Sequence, residues 1–321
     1  MSHKIFSLVF AAVILSFIVY VAIIQGHSAY AVVVFPDFNF GAAGDWGCTS
    51  DANSTAKNMI EKGIELNLGL GDYSYDDPRG AKCWLDTIKP IFNKTKISMG
   101  NNDNIIEYMN VFNLTKQYYS FDVQNVHFLV ISTELQNDFT EPQNDSDNDQ
   151  LKFVRDDLNK TSSNPDIDWI VVYFHRQAYT SLIKDVLNPG GLDRADNTTR
   201  NKYHPLFDKY NVDIVLQAHN HNYERSYPLN YNKVNPDNPI KVSNETNNYY
   251  SDLSGPIFVT VGTGGNGHYK FVGKKDYIIN QTDSSYGFLN VDVINNGTKL
   301  NAKFLSNNGI VEDQFTIVKS P

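Results

Sequence analysis

Five apolar segments of this 321-residue chain, each short enough to be a buried strand, lead directly into polar residues that can bind metal ions. The residues that follow them are Asp45, Asp72, Asn101, His175, and His219 together with His221. A single polar residue after a strand is ordinarily a loop residue. In open α/β sheets, however, ligands bind beyond the carboxyl ends of the strands. Five such ends therefore favour an α/β fold with one ligand site to which every segment contributes.

Hydrophobic spacing and turn residues predict the elements around these ends. The predicted strands are 35–43, 66–70, 96–99, 118–123, 126–132, 169–174 and 214–216, and the predicted helices are 55–62, 83–92, 149–158 and 204–210. Two further segments predict loops. Residues 134–150 are polar and acidic, and residues 180–201 are rich in Gly, Asn and Asp, which is typical of a rim loop or lid.

The two histidines after the last of these strands are one residue apart. Because side chains alternate along an extended segment, His219 and His221 point the same way and can reach one metal ion or two adjacent ones. Two polar loop residues are the alternative for an H-x-H pattern alone. Glycines precede three of the other strand-end ligands, at Gly44, Gly71 and Gly100, where they allow a sharp turn and close approach of a ligand.

The donor types in this set fit two adjacent cations. Carboxylate and amide oxygens are hard donors, imidazole is intermediate, and the set contains no thiolate. Asp72 has two oxygens and could bridge two ions, and Tyr75, three residues later, could supply a phenolate. Two ions about 3.5–4 Å apart activate a water molecule and stabilise both ends of a displacement at phosphorus.

Composition limits the class of protein and its partners. Hydrophobic residues make up 41% of the chain and charged residues 20%, which is enough to build a core and argues against disorder. The net charge of -9, with no basic block to offset it, argues against nucleic acid as the main partner. The sequence leaves the oligomeric state open.

The N-terminus predicts export from the cytoplasm. Residues 5–24 are apolar and uncharged after Lys4, and an Ala-x-Ala cleavage pattern follows at Ala29 to Ala31. Residues 1–31 are therefore a cleaved signal peptide or an uncleaved signal anchor, and both alternatives stay open. In either case residues 32–321 form the catalytic domain outside the cytoplasm, secreted or at the cell surface, and only an uncleaved anchor would contact a membrane.

Two further features are compatible with an extracytoplasmic location. Glycosylation sequons occur at Asn53, Asn93, Asn113, Asn144, Asn159, Asn197, Asn244, Asn280 and Asn296. Cys48 and Cys83 are the only two cysteines, so an oxidising compartment would allow one intramolecular disulfide, with two free thiols as the alternative.

Five short motifs occur in a fixed order. They are D-x-G at Asp45, G-D-x-x-Y ending at Tyr75, G-N-x-D ending at Asp103, V-x-x-H ending at His175, and the final H-x-H. Together they resemble the calcineurin-like metallophosphoesterases, and the tyrosine makes the resemblance closest to the purple acid phosphatases. The resemblance extends over residues 37–318.

This resemblance implies a fold, a site and a reaction. The implied fold is a four-layer α/β/β/α sandwich with two central mixed sheets. One metal ion, ferric iron, would take Asp45, Asp72, Tyr75 and His221, and a divalent ion (Fe, Zn or Mn) would take Asp72, Asn101, His175 and His219. The implied reaction is hydrolysis of a small phosphate monoester by a metal-bound hydroxide.

The sequence departs from the family at one catalytic position. Asn102 occupies the place of a histidine that contacts the phosphate and helps to protonate the leaving group, and Asp103 follows it as the acidic partner. His204, His268 and Tyr179 are candidate replacement donors, with packing or loop roles as their alternatives. Substrate contacts are predicted for Asn102, Arg176, Tyr179 and Tyr223.

Three functions follow from these observations. The first is a phosphomonoesterase outside the cytoplasm. The second is a phosphodiesterase or nucleotide-directed hydrolase of the same superfamily. The third is a non-catalytic surface protein that retains a metal site, which Asn102 favours and the complete set of ligands opposes.

Overall fold

The computed structural model describes residues 35–135, 149–181, 183–184, 192–193 and 195–320. Within them the strands are β1 (Phe38–Ala43), β2 (Leu66–Gly69), β3 (Thr95–Ile97), β4 (Tyr119–Val123), β5 (Val126–Val130), β6 (Trp169–Arg176), β7 (Ile183–Lys184), β8 (Leu192–Asp193), β9 (Ile214–Ala218), β10 (Tyr223–Asn230), β11 (Ile240–Lys241), β12 (Tyr249–Ser251), β13 (Ile257–Val261), β14 (Lys270–Phe271), β15 (Ile278–Thr282), β16 (Gly287–Ile294), β17 (Lys299–Ser306) and β18 (Val311–Val318). The helices are α1 (Ser50–Lys62), α2 (Ala81–Thr87), α3 (Ile105–Val111), α4 (Asp149–Thr161), α5 (Asn197–Lys209) and a 3-10 helix (Lys89–Lys94).

Two large mixed sheets form the centre of the molecule. The first has the order β12-β18-β17-β16-β1-β2-β3, and β1, β2 and β3 are parallel to one another. The second has the order β11-β10-β13-β9-β6-β5-β4, with β15 also paired to β10. Its central strands β5, β6, β9 and β13 are parallel. The carboxyl ends of the parallel strands within each sheet therefore lie along one edge.

Three layers of apolar side chains hold the sandwich together. Between the sheets, Phe40 of β1 meets Phe128 of β5 edge to face, with ring centroids 5.2 Å apart. On the outer face of the first sheet, Trp84 of α2 packs in a cluster with side chains of α1 and β3. On the outer face of the second sheet, Phe207 of α5 packs with Phe174 of β6. The predicted α/β/β/α sandwich with two mixed sheets is confirmed.

Helix α1 shows how local sequence sets the frame of the site. Thr49 caps its first turn by accepting a hydrogen bond from the Ala52 amide, and Gly63 ends it in the left-handed conformation at φ 74°. Its buried face, which includes Met59, packs in the outer core of the first sheet. Because the helix begins five residues after Asp45, this packing fixes the turn that carries the aspartate.

All four helix predictions differ from the structure in their bounds, and two of them differ most. The helix predicted at 55–62 begins at Ser50, and the helix predicted at 149–158 ends at Thr161. The helix predicted at 83–92 is split into α2 and the 3-10 helix, because Pro90 lies at the start of the second element and cannot donate a hydrogen bond to the first. The helix predicted at 204–210 begins at Asn197, inside the predicted rim loop. Asp196 caps this earlier start by accepting a hydrogen bond from the Thr199 amide, and the helix continues through Pro205.

Cys48 and Cys83 form a disulfide, with their Cα atoms 6.0 Å apart. It joins the turn after β1 to helix α2, and so connects the segments on either side of Asp72 and Tyr75. Among the residues that the structure describes, no helix has the length and apolar character needed to cross a bilayer. The signal or anchor segment predicted at residues 1–31 and the sequon at 144 lie outside the described residues, as do residues 136–148 of the first predicted loop and residues 182, 185–191 and 194 of the second.

Candidate metal centre

The seven predicted metal ligands come from loops at the carboxyl ends of strands in both sheets. Asp45 follows β1, Asp72 and Tyr75 follow β2, and Asn101 follows β3, all in the first sheet. In the second sheet His175 lies at the end of β6, and His219 and His221 follow β9. The site therefore lies at the seam where the two sheets meet.

Three of these side chains form the first donor group. The Tyr75 hydroxyl lies 3.2 Å from Asp45 Oδ1 and 3.0 Å from His221 Nε2. His221 Nε2 lies 3.5 Å from the same Asp45 oxygen. Asp45 and His221 are buried, and the other oxygen of Asp45, Oδ2, has no hydrogen-bond partner. A buried, partnerless carboxylate oxygen is costly unless a cation compensates it.

Four side chains form the second group. Nε2 of His175 lies 3.4 Å from Asp72 Oδ2, 3.2 Å from Asn101 Oδ1 and 3.2 Å from His219 Nδ1. One ligand atom each of Asp72, His175 and His219 lies within 4.8 Å of the others. The other ring nitrogen of His175, Nδ1, donates to the Leu70 carbonyl at 2.8 Å, which directs Nε2 into the group.

The spacing within each group fits one metal ion. Donor atoms bound to the same ion at about 2.0–2.2 Å lie roughly 3–3.5 Å apart across the coordination sphere. Both groups have donor separations in this range, and both contain the oxygen and imidazole donors that iron, zinc or manganese accept. The residues present therefore fit a pair of metal ions.

Four of the predicted ligands have a strained backbone. Asp45, Asp72, Tyr75 and His219 have φ values of 55°, 55°, 49° and 69°, in the left-handed region that costs a non-glycine residue about 1–2 kcal/mol. Such outliers cluster at functional sites, where the surrounding structure holds them in place. The strain here turns each side chain from its strand end toward the seam.

Two glycines let the ligand loops approach each other. Gly71 has φ +89°, and a Cβ there would lie 2.7 Å from His175 Nδ1 and 2.8 Å from the Gly100 amide. A Cβ on Gly100 would overlap Asp72 Oδ1. At these two positions glycine permits the close approach of neighbouring protein loops, and the predicted close approach of a ligand stays a prediction.

The electrostatics of the groups favour bound positive charge. Burial raises the pKa of Asp45 to about 8, and the nearby Asp72 carboxylate contributes to the rise. Burial also acts against ionisation of Asp72, but the charge and hydrogen bonding of His175 hold its pKa below the usual range. The pKa of His175 rises to about 10 because Asp72 and Asp45 outweigh its burial. The carboxylates therefore draw a positive charge to the seam, which a metal cation would supply.

Asp103 ties two ligand loops together. Its Oδ2 accepts the amide hydrogens of Asp72 at 2.9 Å and Gly100 at 2.8 Å, and its Oδ1 accepts the Tyr73 amide at 2.8 Å. Three backbone bonds to one carboxylate fix the loops after β2 and β3 relative to each other. The structure thus gives Asp103 a positioning role for Asp72.

Asn102 lies at the exposed side of the same loop. Its backbone N–H donates to Asp72 Oδ1 at 2.8 Å, and its side-chain Nδ2 donates to Asp72 Oδ2 at 2.6 Å. The side chain is exposed, so a substrate can also reach it. The predicted contact between Asn102 and a phosphate stays a prediction.

Arg176 lies beside the second donor group. Nε and Nη2 form a paired contact with the Glu134 carboxylate at 2.9 and 3.2 Å, and Nη1 lies 3.5 Å from His219 Nε2. Its side chain is 30% exposed, which is compatible with the predicted substrate contact. Glu134, which the sequence analysis missed, follows β5 in the same way that the ligands follow their strands.

His204 and Tyr179 lie in the outer core of the second sheet. The Tyr179 hydroxyl is 2.8 Å from His204 Nδ1, and His204 Nε2 is 3.2 Å from the Leu229 carbonyl. Their exposures are 0% for His204 and 1% for Tyr179, so neither can touch a substrate or its leaving group. We therefore correct both predictions: these residues support the core rather than the chemistry.

Tyr223 is also a core residue. Its hydroxyl donates to Asp313 Oδ2 at 2.7 Å, and its ring stacks on Phe304 between the two sheets at 4.3 Å. At 1% exposure it cannot bind substrate, which corrects that prediction as well. The third candidate donor, His268, is half-buried and stacks on Tyr286 with ring centroids 4.0 Å apart, and its role stays a prediction.

Comparison with family models agrees with this geometry. Residues 38–223 match the model of the Calcineurin-like phosphoesterase family. Residues 255–314 match the model described as Iron/zinc purple acid phosphatase-like protein C. The first match contains all seven predicted ligands, and the second contains strands β13 to β17 with their loops.

Individual proteins show the same relationship. The chain is 30% identical over 212 residues to Probable inactive purple acid phosphatase 1 of Arabidopsis thaliana, covering 66% of this chain and 32% of that protein. It is 26% identical to Purple acid phosphatase 18 of the same plant, covering 72% of this chain and 50% of that protein. The chain thus spans a third to a half of the length of these relatives.

Solved structures share the fold, among them that of a plant phosphatase. The purple acid phosphatase PPD1 from yellow lupin (Lupinus luteus) seeds superposes with a TM-score of 0.73 at 21% identity, covering 89% of this chain and 54% of that chain. At this level of identity the likeness concerns the fold alone.

Proposed function

The chain belongs to the calcineurin-like phosphoesterase family, and from that premise we propose that it hydrolyses phosphate monoesters with the help of two metal ions. The proposed ions are ferric iron at Asp45, Asp72, Tyr75 and His221, and divalent iron, zinc or manganese at Asp72, Asn101, His175 and His219. The substrate class is a small phosphate ester.

The observation that carries this proposal is the spacing of the donor atoms. Two groups of oxygen and imidazole donors, with separations of 3.0–3.5 Å, meet at the seam of the two sheets. When bound, two metal ions supply an activated water and neutralise charge on the phosphate. A cluster of charged side chains at the seam of the two sheets suits metal-assisted hydrolysis better than a role in stability.

Other residues of the chain would position the predicted ligands and contact the substrate. Asp103 holds the Asp72 loop against the Gly100 loop, and Leu70 fixes the ring of His175 through its carbonyl. Arg176, oriented by Glu134, presents Nη1 beside His219 and would attract an anionic substrate. Asn102 can donate a hydrogen bond to a phosphate oxygen, but a neutral amide cannot give up a proton to the leaving group.

Metal analysis combined with two chromogenic substrates tests the proposal. We expect about two equivalents of metal, a visible absorption band, and hydrolysis of p-nitrophenyl phosphate well above that of bis-p-nitrophenyl phosphate. The opposite preference would favour the phosphodiesterase alternative. Purified protein without bound metal and without activity, after exposure to iron and zinc, would refute the proposal.

Two observations favour a non-catalytic metal protein as the second candidate. Asn102 occupies the position of the expected proton donor, and one relative of this chain carries the name Probable inactive purple acid phosphatase 1. Two bound metal ions with no turnover of any phosphate ester would support this second candidate.

The proposed location is outside the cytoplasm. The Cys48–Cys83 disulfide suits an oxidising compartment. The sequon asparagines that are exposed in the structure are Asn53, Asn93, Asn113, Asn159, Asn197, Asn244 and Asn296. Asn280 is half-buried and donates to the Glu312 carbonyl, so we propose glycans at the exposed set and not at Asn280. Glycopeptide mass spectrometry of the exported protein tests both statements.

A further inference from the structure

Residues 262–269 form hydrogen bonds to the backbone of two residues of the first donor group. The amides of Gly265 and Asn266 donate to the Asp45 carbonyl at 3.1 and 2.9 Å. The Tyr269 amide donates to the His221 carbonyl at 3.1 Å. This segment follows β13 and comes from the C-terminal part of the chain, yet it holds the backbone of two of the predicted ligands of the first ion.

The side chain of Tyr269 makes a closer contact with one of these ligands. Its ring stacks on the imidazole of His221 with centroids 4.1 Å apart and an angle of 7° between the planes. His221 itself is buried, and its Nε2 faces the Tyr75 hydroxyl at 3.0 Å. A ring lying parallel at this distance prevents the imidazole from turning about its Cβ–Cγ bond, so Nε2 stays directed at Tyr75 and Asp45.

We propose that Tyr269 is a positioning residue for the first metal ion, acting through His221. The inference rests on the proposed dinuclear centre and extends it to a residue outside the ligand set. Groups that orient a metal-binding histidine are typically worth about 10–100-fold in metal affinity. A stacked tyrosine performs this task by covering a face of the imidazole, whereas His175 is oriented by a hydrogen bond to a carbonyl.

The effect should be selective for one ion of the pair. The bonds from the segment to predicted ligands go to Asp45 and His221, which belong to the first group. Its other described bonds go to Gly44, Thr49, Asn222 and Gly287, none of which is a predicted ligand. The second group is organised by other contacts, since Asn101 and His219 both approach His175 and His175 is held by Leu70. Loss of the Tyr269 ring should therefore weaken the iron site and leave the divalent site in place.

Three variants of the full chain test this inference. Tyr269→Leu removes the ring, Tyr269→Phe keeps the stack without the hydroxyl, and Tyr286→Leu removes a matched stack, since Tyr286 lies on His268 at 4.0 Å and His268 is not a predicted ligand. Each protein is loaded with iron and zinc, and metal content is measured during titration with a chelator. The visible absorption of iron-bound tyrosinate reports on the first site separately.

We expect Tyr269→Leu to release its iron at a chelator concentration about 10–100-fold lower than wild type, with loss of the visible band and retention of the second ion. Tyr269→Phe and Tyr286→Leu should match wild type. Melting temperatures of the metal-free proteins show whether Tyr269→Leu is folded, and Tyr269→Met, with a flexible apolar side chain, replaces it if it is not.

Two outcomes would overturn the inference alone. In one, wild type and Tyr269→Leu hold iron equally well. In the other, the variant loses both ions in parallel, which indicates a general structural role. A wild type that binds no metal at all would instead refute the proposed function and this inference with it.

Discussion

The Tyr75 hydroxyl lies 3.0 Å from His221 Nε2, although 146 residues separate the two positions. Tyr75 belongs to the loop after β2 of the first sheet, and His221 to the loop after β9 of the second. The contact therefore exists only when both sheets have formed and packed against each other. A metal ion at this point would bind native protein far better than the unfolded chain and would stabilise the packed sandwich.

The first prediction concerns colour. A tyrosinate bound to ferric iron absorbs visible light, so Tyr75→Phe should bleach iron-loaded protein while its other ligands remain. The phenol also lies 3.2 Å from Asp45 Oδ1, so we expect weaker iron binding as well. Absorption spectra of both proteins at equal iron content provide the measurement. A colourless iron-loaded wild type would contradict the assignment of Tyr75.

The second prediction separates a shared ligand from an unshared one. Asp72→Ala should lose both ions, because in the proposal the Asp72 carboxylate is a ligand of both. Asp45→Ala should lose only the first ion. Both aspartates are buried and have φ 55°, and alanine keeps the Cβ that makes this conformation costly, so the two variants carry similar backbone strain and form a matched pair. Equal metal content in Asp72→Ala and wild type, measured by elemental analysis, would argue against a bridging role.

Much of the candidate ligand set could be predicted because most of its members stand at the end of an apolar strand or shortly after it. Asp45, Asp72 and Asn101 follow β1, β2 and β3, and the parallel pairing of these strands brings the three loops to one edge. That relationship depends only on local pattern and on the common direction of the strands. It survives errors of two or three residues in the predicted strand ends.

The residues around the ligands could not be predicted in the same way. His204 and Tyr179 are polar enough for a site, but they are buried because residues far along the chain, such as Leu229, close over them. Tyr223 is buried between the two sheets, and its hydroxyl donates to Asp313 of β18, 90 residues later in the sequence. Tyr269 follows a predicted candidate, His268, yet only the packed structure shows that its ring lies on His221.

The third prediction concerns the disulfide. The bond between Cys48 and Cys83 closes a loop of 35 residues, for which the chain-entropy estimate is roughly 3–4 kcal/mol. Cys48→Ser combined with Cys83→Ser should lower the free energy of unfolding by up to that amount in a urea titration. Reductant should destabilise wild type and leave the double variant unchanged. Two alkylatable thiols in protein exported by its native route would contradict the pairing.

The fourth prediction concerns a histidine far from the metal groups. His127 of β5 places Nδ1 2.6 Å from Asp122 Oδ1 and Nε2 2.8 Å from Asp157 Oδ2, which connects the hairpin to helix α4. Burial alone would lower the pKa of His127, but Asp157 and Asp122 outweigh it, so the pKa is raised. The charged imidazole therefore stabilises the folded protein.

The sign of the pH dependence follows from that shift. A raised folded-state pKa means that the stabilisation is fully present below the unfolded pKa of about 6.5 and is lost as pH rises through the raised value. His127→Gln should cost about 1.5–3 kcal/mol of unfolding free energy at acidic pH, and less as the solution becomes alkaline. Urea titrations over that range provide the measurement, and a difference that grows with pH would contradict the charged state.

The last prediction concerns the missing proton donor. General acid catalysis typically contributes about 10²–10⁴-fold, and it matters most for leaving groups that depart badly as anions. The neutral side-chain amide of Asn102 cannot transfer a proton to a leaving group, although it donates a hydrogen bond to Asp72 Oδ2 at 2.6 Å. We therefore expect aryl phosphates such as p-nitrophenyl phosphate to be hydrolysed much faster than alkyl phosphates such as glycerol phosphate.

Asn102→His should narrow that gap by raising kcat on the alkyl esters while changing the aryl esters little. The structure indicates how the new imidazole could be held. Oδ1 of Asp103 accepts one N–H, from the Tyr73 amide at 2.8 Å, and a carboxylate oxygen can accept a second. Asn102→Gln is the matched control, because it lengthens the side chain without adding a titratable group. A series of leaving groups of increasing pKa, measured on all three proteins, gives the slopes to compare. A flat dependence for wild type would mean that another residue supplies the proton, and His268→Gln would then be the next variant to test.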